Sequence, residues 1–228
     1  MNDLLKEGLY QIINKSPLAL NLLKERLDDV IRLLNVYICE IEMFNPRYGL
    51  VKYETRDELI TKHILDSLAG IDSILKILNA THTNAEIPFQ FADVGSGAGL
   101  PGIPLAIAMN TYNWTLIERA GKRADFLQNS SLMLGLKNVE VLQTDFTKVQ
   151  KKFDLITFRA VSALDGLFVK NIFKLLKQGG CIAAYKGRIE RIEDEIANLD
   201  YEKSLNVNIE RIDVPFLDES RHIVMISA

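Results

Sequence analysis

The sequence predicts an α/β fold, a doubly wound and mostly parallel sheet with a helical cap at its N-terminus. Three observations carry that expectation. Before residue 80, leucines, isoleucines and valines recur at three- and four-residue spacing, the period of helices that bury one face. From Phe89 onward, short apolar runs alternate with helix-period segments, the pattern of strands joined by crossover helices. Between the first run and its helix lies FADVGSGAGLPGIPLAI (91–107), with glycines at 95, 97, 99 and 102.

In chain order, Ser16 is placed to N-cap SPLALNLLKERLDDVIRLLNVYICEIEMF (16–44), with Pro17 at the first helical position. NPRYGL (45–50) breaks that run, and Thr55 with Glu58 forms a capping box opening RDELITKHILDSLAGIDSILKIL (56–78). The polar NATHTNAEIP (79–88) links the cap, 1–80, to a sheet domain, 81–228, the two packing as one globular unit. Strands are expected at FQFADV (89–94), WTLIER (114–119), VEVLQ (139–143), DLITFRA (154–160) and CIAAYKG (181–187). The intervening helices are LPGIPLAIAM (100–109), GKRADFLQNSSLML (121–134), a turn around DFTKV (145–149), and DGLFVKNIFKLLK (165–177). Gly135 and the Gly179–Gly180 pair stand where helix C-terminal caps belong. A charged helix, GRIERIEDEIANL (187–199), precedes two last strands, VNIERIDVPF (207–216) and RHIVMISA (221–228).

A net charge of −3 over 228 residues gives no global positive field, so a nucleic-acid substrate would need a local basic surface. Cys39, Cys181, His63, His82 and His222 are scattered without ligand-like spacing, and neither a disulfide framework nor a metal site is expected. Asp3 and Glu7 stand where a signal peptide would be basic and then apolar, and the apolar runs are too short to span a bilayer. A soluble, cytoplasmic protein without a membrane partner is the expectation.

Open sheets bind ligands beyond the C-terminal ends of their strands, at the turn where strand order reverses. GAGLPG (97–102) matches the dinucleotide pattern G-x-G-x-x-G, while DVGSGAG (93–99) matches the pattern D-x-G-x-G-x-G of S-adenosylmethionine enzymes. Asp93 sits awkwardly beside a pyrophosphate but suits a ligand carrying an ammonium and a sulfonium. Pro101 and Pro104 also withhold two amides that a phosphate would use. Both points favour S-adenosylmethionine. Glu118, at the end of the second strand, is placed to accept from two ribose hydroxyls, a contact common to both cofactor classes.

With these residues in view, the chain resembles the bacterial 16S ribosomal RNA guanine-N7 methyltransferases, also called the glucose-inhibited division protein B family. The resemblance runs from about Phe44 to the end, through KHILDSL (62–68), DVGSGAGLPGIPLAI (93–107), IERAGKRADFL (117–127), FDLITFRAVSAL (153–164), AYKG (184–187) and RHIVMI (221–226). It implies a Rossmann-like class I methyltransferase fold and methylation of N7 of guanosine 527, in the decoding-region loop of 16S rRNA within the small subunit. It implies a cofactor turn at Gly95, Gly97, Gly99 and Leu100, and a ribose-binding acid at Glu118. Arg159 matches an arginine beside cofactor and substrate. Lys186, Arg221 and His222 match basic positions toward the RNA, with Arg159 and Lys186 serving the reaction. The family's Arg-Ala-Glu-like segment reads TDFT (144–147) here; Asp145, Phe146 and Thr147 take the adenine positions, with Asp145 as acceptor for the amino group. The family's Asn-Leu-Thr block reads GLV (49–51). The enzyme is expected to act as a monomer.

Guanine N7 is an unprotonated lone-pair nucleophile, so its methylation needs positioning and no general base. The absence of an evident nucleophile–base pair in the sequence suits that reaction. Arg47, Lys52, Arg56 and Lys62 form either an RNA-facing surface or a solvated helical face; Lys122 and Arg123 read as solvated. His63 and Tyr185 each fit a core or a site position. A methyltransferase for a small metabolite is the alternative function, since it would keep the glycine turn and Glu118 without needing a basic surface.

Overall fold

The computed structural model describes residues 3–81, 89–199 and 205–227; most of the 79–88 linker, with His82, lies outside them. Helices α1 (Asp3–Lys15), α2 (Pro17–Leu23) and α3 (Leu27–Tyr48) open the chain. The Ser16 hydroxyl accepts from the Ala19 amide at 3.0 Å, as an N-cap should, and donates to Asp72 Oδ1. The predicted single helix over 16–44 is therefore two, divided at Lys24–Arg26. The break at 45–50 comes later than expected: α3 continues through Pro46 and ends at Gly49, whose φ of 60° gives the left-handed cap.

Thr55 caps α4 (Arg56–Leu59) by accepting from the Glu58 amide at 3.2 Å. The Glu58 carboxylate reaches back to the amide of Glu54, one residue earlier than in the standard box. The helix then widens into a π turn over Ile60–Leu65 before α5 (Asp66–Ala69) and α6 (Ile71–Thr81). Wide turns of this kind often mark functional segments.

The sheet comprises β1 (Gln90–Val94), β2 (Asn113–Glu118), β3 (Val139–Gln143), β4 (Phe153–Arg159), β5 (Leu176–Lys186), β6 (Asn206–Ile212) and β7 (Arg221–Ser227). Its order is β3-β2-β1-β4-β5-β7-β6, parallel except that β7 runs antiparallel to both β5 and β6. Crossovers run through α7 (Gly102–Ala108), α8 (Gly121–Met133), a 3-10 turn (Phe146–Lys148), α9 (Gly166–Phe173) and α10 (Ile189–Ala197). Gly135 closes α8 as predicted, its amide and that of Leu136 bonding back to Leu132 and Ser131. The Gly179–Gly180 pair does not cap a helix. α9 ends at Phe173, and both glycines lie inside β5 at a register shift, where a Cβ on Gly180 would meet the Phe153 carbonyl at 3.0 Å.

Strand alternation sorts the side chains onto two faces. Phe91, Leu155, Cys181, Ala183, Tyr185, Ile223 and Met225 join the core beneath the N-terminal helices and α7. Ala92, Val94, Ile156, Phe158, Ile182, Ala184, Val224 and Ile226 pack against α9 and α10. The same alternation decides what happens at the sheet's C-terminal edge.

Candidate active site

The strand order reverses between β1 and β4, and the glycine turn leaves β1 at that point. Gly95, Gly97 and Gly99 have φ of 66°, 57° and 88°, a region that favours glycine. The Gly99 amide donates to Ser96 O at 2.7 Å, closing the turn, and Tyr37 Oη of α3 donates to Ala98 O at 2.5 Å, bracing it from the cap. A Cβ on Gly99 would meet Ile103 at 2.6 Å, so this glycine serves packing. At Gly97 the nearest atom would be 3.8 Å away, which leaves that side of the turn open.

Glu118 ends β2 and is 5% exposed. Its Oε2 accepts from the Gly97 amide at 2.9 Å and its Oε1 from the Ala120 amide at 2.8 Å. Each oxygen retains acceptor capacity toward a ligand hydroxyl. Glu118 lines a cavity of about 370 Å³ together with Gly95, Ile117, Asp145, Phe146, Ala160 and Val161. Asp145 Oδ1 accepts from both the amide and the hydroxyl of Thr147, at 2.9 and 2.7 Å. Those bonds, the hydroxyl's first, hold the Asp145 carboxyl below its usual range. Phe146 meets Phe168 edge to face and supplies an apolar wall. Ala160 has a φ of 54°, a strained value for a residue with a Cβ, directly after Arg159.

Two residues assigned to the cofactor line neither this cavity nor the adjoining cleft in addition to Gly99: Asp93 and Thr147. Thr147 points outward, as the orienting partner of Asp145. Asp93 is 1% exposed, on the sheet face that α7 covers, where Thr157 Oγ1 donates to it at 2.9 Å and the Gly102 amide at 3.3 Å. It holds the turn from beneath. Asp93 shares its sheet face with Glu118 and Arg159 but lies two register positions short of those strand ends, beneath the turn and the start of α7.

At the ends of β4 and β7, alternation sends Arg159 and Arg221 toward the cap. Arg159 Nη1 donates to Asp66 Oδ2 at 2.5 Å and to Lys62 O at 3.3 Å, and Nη2 lies 3.2 Å from His63 Nδ1. Arg221 Nε lies 3.3 Å from Asp66 Oδ1, in ion-pair contact. Burial pushes the Asp66 carboxyl up, and the two arginines pull it back. His63 Nε2 faces Lys52 O at 3.0 Å. A carbonyl only accepts and a guanidinium only donates, so the proton sits on Nε2 and the ring is neutral. Burial, then Arg159, lowers its pKa to about 4.

The opposite face receives Lys186 and His222. Lys186 Nζ pairs with Glu195 Oε2 of α10 at 2.6 Å and donates to Ser162 O at 3.2 Å. His222 is 7% exposed, bonds through Nδ1 to Gly187 O at 2.5 Å, and is not among the cleft-lining residues. His222, expected toward the RNA, thus stands apart from the cleft that its neighbour Arg221 and its strand partner Lys186 line. Tyr185 is nearly buried, its hydroxyl donating to Ser67 O at 2.8 Å, which makes it a core tyrosine at the edge of the cleft.

The cavity opens at Gly95, Arg123 and Ala160–Ser162 into a cleft of about 1020 Å³. Lys52, Lys62, Arg123, Arg159, Lys186, Arg188, Arg191 and Arg221 line it, against Glu58, Asp66, Glu195 and Glu219. A chain of net charge −3 therefore concentrates positive charge at one place. Of the four cap cations considered from sequence, Lys52 and Lys62 line the cleft, whereas Arg56 pairs with Glu42 and Arg47 lies elsewhere. Arg123, read as solvated, lines both spaces; its place in the first turn of α8, the wrong end of the helix dipole for a cation, was the available signal. Asp66 was missed altogether, although an aspartate among apolar neighbours in HILDSL is a feature that demands a partner.

Two buried groups here set opposing pH dependences. His63 falls from 6.5 to about 4 on folding, so its contribution is full above pH 6.5 and is lost as pH drops toward 4. Asp93 rises from 3.8 to about 6 because of burial, so its contribution is full below 3.8 and is lost as pH rises through 6. Each amounts to about 3 kcal/mol. Urea unfolding between pH 4 and 6 should find the two nearly cancelling in the native chain. Asp93→Asn should then gain stability with rising pH, and His63→Gln should lose it. Parallel curves for all three proteins would contradict this assignment.

Among the described residues, no group of three His, Cys, Asp or Glu side chains is placed to hold a metal, and no helix is long and apolar enough to cross a membrane. The sheet order and the glycine turn at its switch point define the class I methyltransferase fold. Solved structures agree on the fold. The METTL16 methyltransferase domain superposes with a TM-score of 0.53 at 13% identity, covering 89% of this chain and 81% of its own. A ribosomal protein L11 methylase from Lactobacillus delbrueckii subsp. bulgaricus gives 0.50 at 16% identity, covering 77% and 80%. The chain belongs to the family rRNA small subunit methyltransferase G, whose model matches residues 30–224. Proteins named ribosomal RNA small subunit methyltransferase G from Treponema denticola and Treponema pallidum are 36% and 39% identical to it. The first match covers 98% of this chain and 95% of the relative, the second 85% and 83%.

Proposed function

We propose that the protein transfers a methyl group from S-adenosylmethionine to N7 of a guanosine in small-subunit rRNA, at the decoding-region loop. The observation that carries this reading is the junction of two spaces. A small cavity floored by the glycine turn and Glu118 opens directly into a cleft lined by eight basic side chains. The cavity residues fit the cofactor: Glu118 keeps acceptor capacity for the ribose hydroxyls, Asp145 offers Oδ2 to an adenine amino group, and Phe146 gives an apolar wall. In this reading residues 1–80 form one wall of the cleft, 81–228 hold the cofactor, and the enzyme works as a cytoplasmic monomer.

The cofactor supplies an electrophilic methyl on a sulfonium. The guanine N7 lone pair forms the new C–N bond as the C–S bond breaks, its electrons returning to sulfur, and no proton moves. The chain's task is alignment. Positive charge ends on the base, so a bare guanidinium beside it would oppose the reaction. Arg159 is not bare: Asp66 neutralises much of its charge and His63 beside it is uncharged. Arg159 and Arg221 are thereby suited to grip a phosphate or guanine O6, on the edge that also carries N7.

Thermal unfolding tests the cofactor class. S-adenosylmethionine or its demethylated product at about 100 times its dissociation constant should add roughly 2.7 kcal/mol of stability, and NAD should add nothing. Stabilisation by NAD alone would overturn the reading.

A further inference from the structure

We propose that Arg188 and Arg191 of α10 are an RNA-backbone clamp, gripping phosphates of the single-stranded segment that flanks the base placed in the site. The proposal rests on the rRNA reading above. Arg188 is the N-cap of α10 and Arg191 lies in its first turn; both are exposed and both line the cleft. Ile192, between the cleft and the core, is buried and fixes which face of α10 looks into the cleft.

Three physical features mark these two arginines, and Arg123 of α8, at the junction of cavity and cleft, shares them. Neither meets a carboxylate among the described residues, although α10 carries Glu190, Glu193, Asp194 and Glu195. Arg191 and Glu195 stand four apart, the spacing at which helical ion pairs form. Glu195 is already occupied, its Oε2 accepting from Lys186 Nζ at 2.6 Å and from the Leu164 amide at 2.8 Å. Both cations also stand at the helix end whose dipole disfavours them. Arginines left unpaired, at an unfavourable position, on the rim of a basic cleft are matched in chemistry to phosphate. Spacing along α10 gives the arrangement its logic: Glu195 holds the partly buried Lys186 while the arginines one and two turns earlier stay free.

The test is methyl transfer to isolated small subunits by the full chain, wild type against Arg188→Ala/Arg191→Ala, at several salt concentrations. The variant should raise the apparent KM about tenfold or more with kcat little changed. It should lower the slope of log affinity against log salt by about 1.4, the value for two contacts to a single strand. Binding of S-adenosylhomocysteine should be unaltered. A Lys24→Ala/Lys137→Ala variant, which removes the same charge at exposed positions outside the cleft, should leave KM and slope unchanged. An unaltered KM and slope in the arginine variant would overturn the proposal, as would equal losses in the lysine variant or weakened S-adenosylhomocysteine binding. Failure of the wild type to label rRNA would instead overturn the functional reading on which it rests.

Discussion

Arg159→Ala is expected to abolish most methyl transfer, by about a hundredfold or more, and also to weaken the fold. The first effect follows from its place at the end of β4, where cavity and cleft join; misplacing a reacting group by about 1 Å costs about a hundredfold in rate. The second follows from Asp66, which is 3% exposed and would keep only Arg221 at 3.3 Å as a charged partner. Breaking a buried pair by removing one partner costs about 3–5 kcal/mol. Sequence reasoning alone expects a folded, inactive variant. The geometry separates the two roles: Arg159→Ala/Asp66→Asn should recover most of the lost stability and none of the activity. Urea unfolding with labelled methyl transfer measures both. Restored activity in the double variant would remove Arg159 from the site, and an Arg159→Ala protein as stable as wild type would contradict the buried-pair account.

Glu118→Ala should reduce affinity for S-adenosylhomocysteine by at least tenfold. The carboxylate does more than face the cavity, because the amides of Gly97 and Ala120 both depend on it. Its loss removes charge-assisted hydrogen bonds worth about 1.5–3 kcal/mol to a ligand, and tenfold in affinity corresponds to about 1.4 kcal/mol. It also leaves two amides of the site without their acceptor. Titration calorimetry, with circular dichroism to confirm the fold, reads this directly. Unchanged affinity would make Glu118 a brace for the turn alone.

The fold was largely legible because its signals are local. Alternating strands and helices, the Ser16 and Thr55 caps, the left-handed Gly135 and the glycine turn each follow from short-range chemistry. Errors arose where a distant partner decides. Gly179 and Gly180 look like a helix stop until β4 approaches, with the Phe153 and Asp154 carbonyls leaving no room for a Cβ at position 180. For the candidate site, the pattern defines the strand-end positions of the glycine turn, Glu118 and Arg159, and the structure brings Gly95 and Glu118 to one cavity and Gly97 and Arg159 to the adjoining cleft. Asp93 and His222 lie away from both spaces for tertiary reasons: α7 and the turn cover Asp93, and the Gly187 carbonyl engages His222 although Lys186 on the same face lines the cleft. The Arg159–Asp66–Arg221 cluster joins residues 62 or more positions apart, and no local spacing announces it.

The central claim is tested most directly by mass spectrometry of 16S rRNA after transfer of a labelled methyl group from S-adenosylmethionine to small subunits from a strain lacking this protein. Because eight basic side chains gather in one cleft of a chain whose net charge is −3, a shaped target should be required, with subunits labelled far better than protein-free rRNA. The account predicts one labelled nucleoside, N7-methylguanosine, in the decoding-region loop. Label on another base, or on small molecules alone, would contradict it.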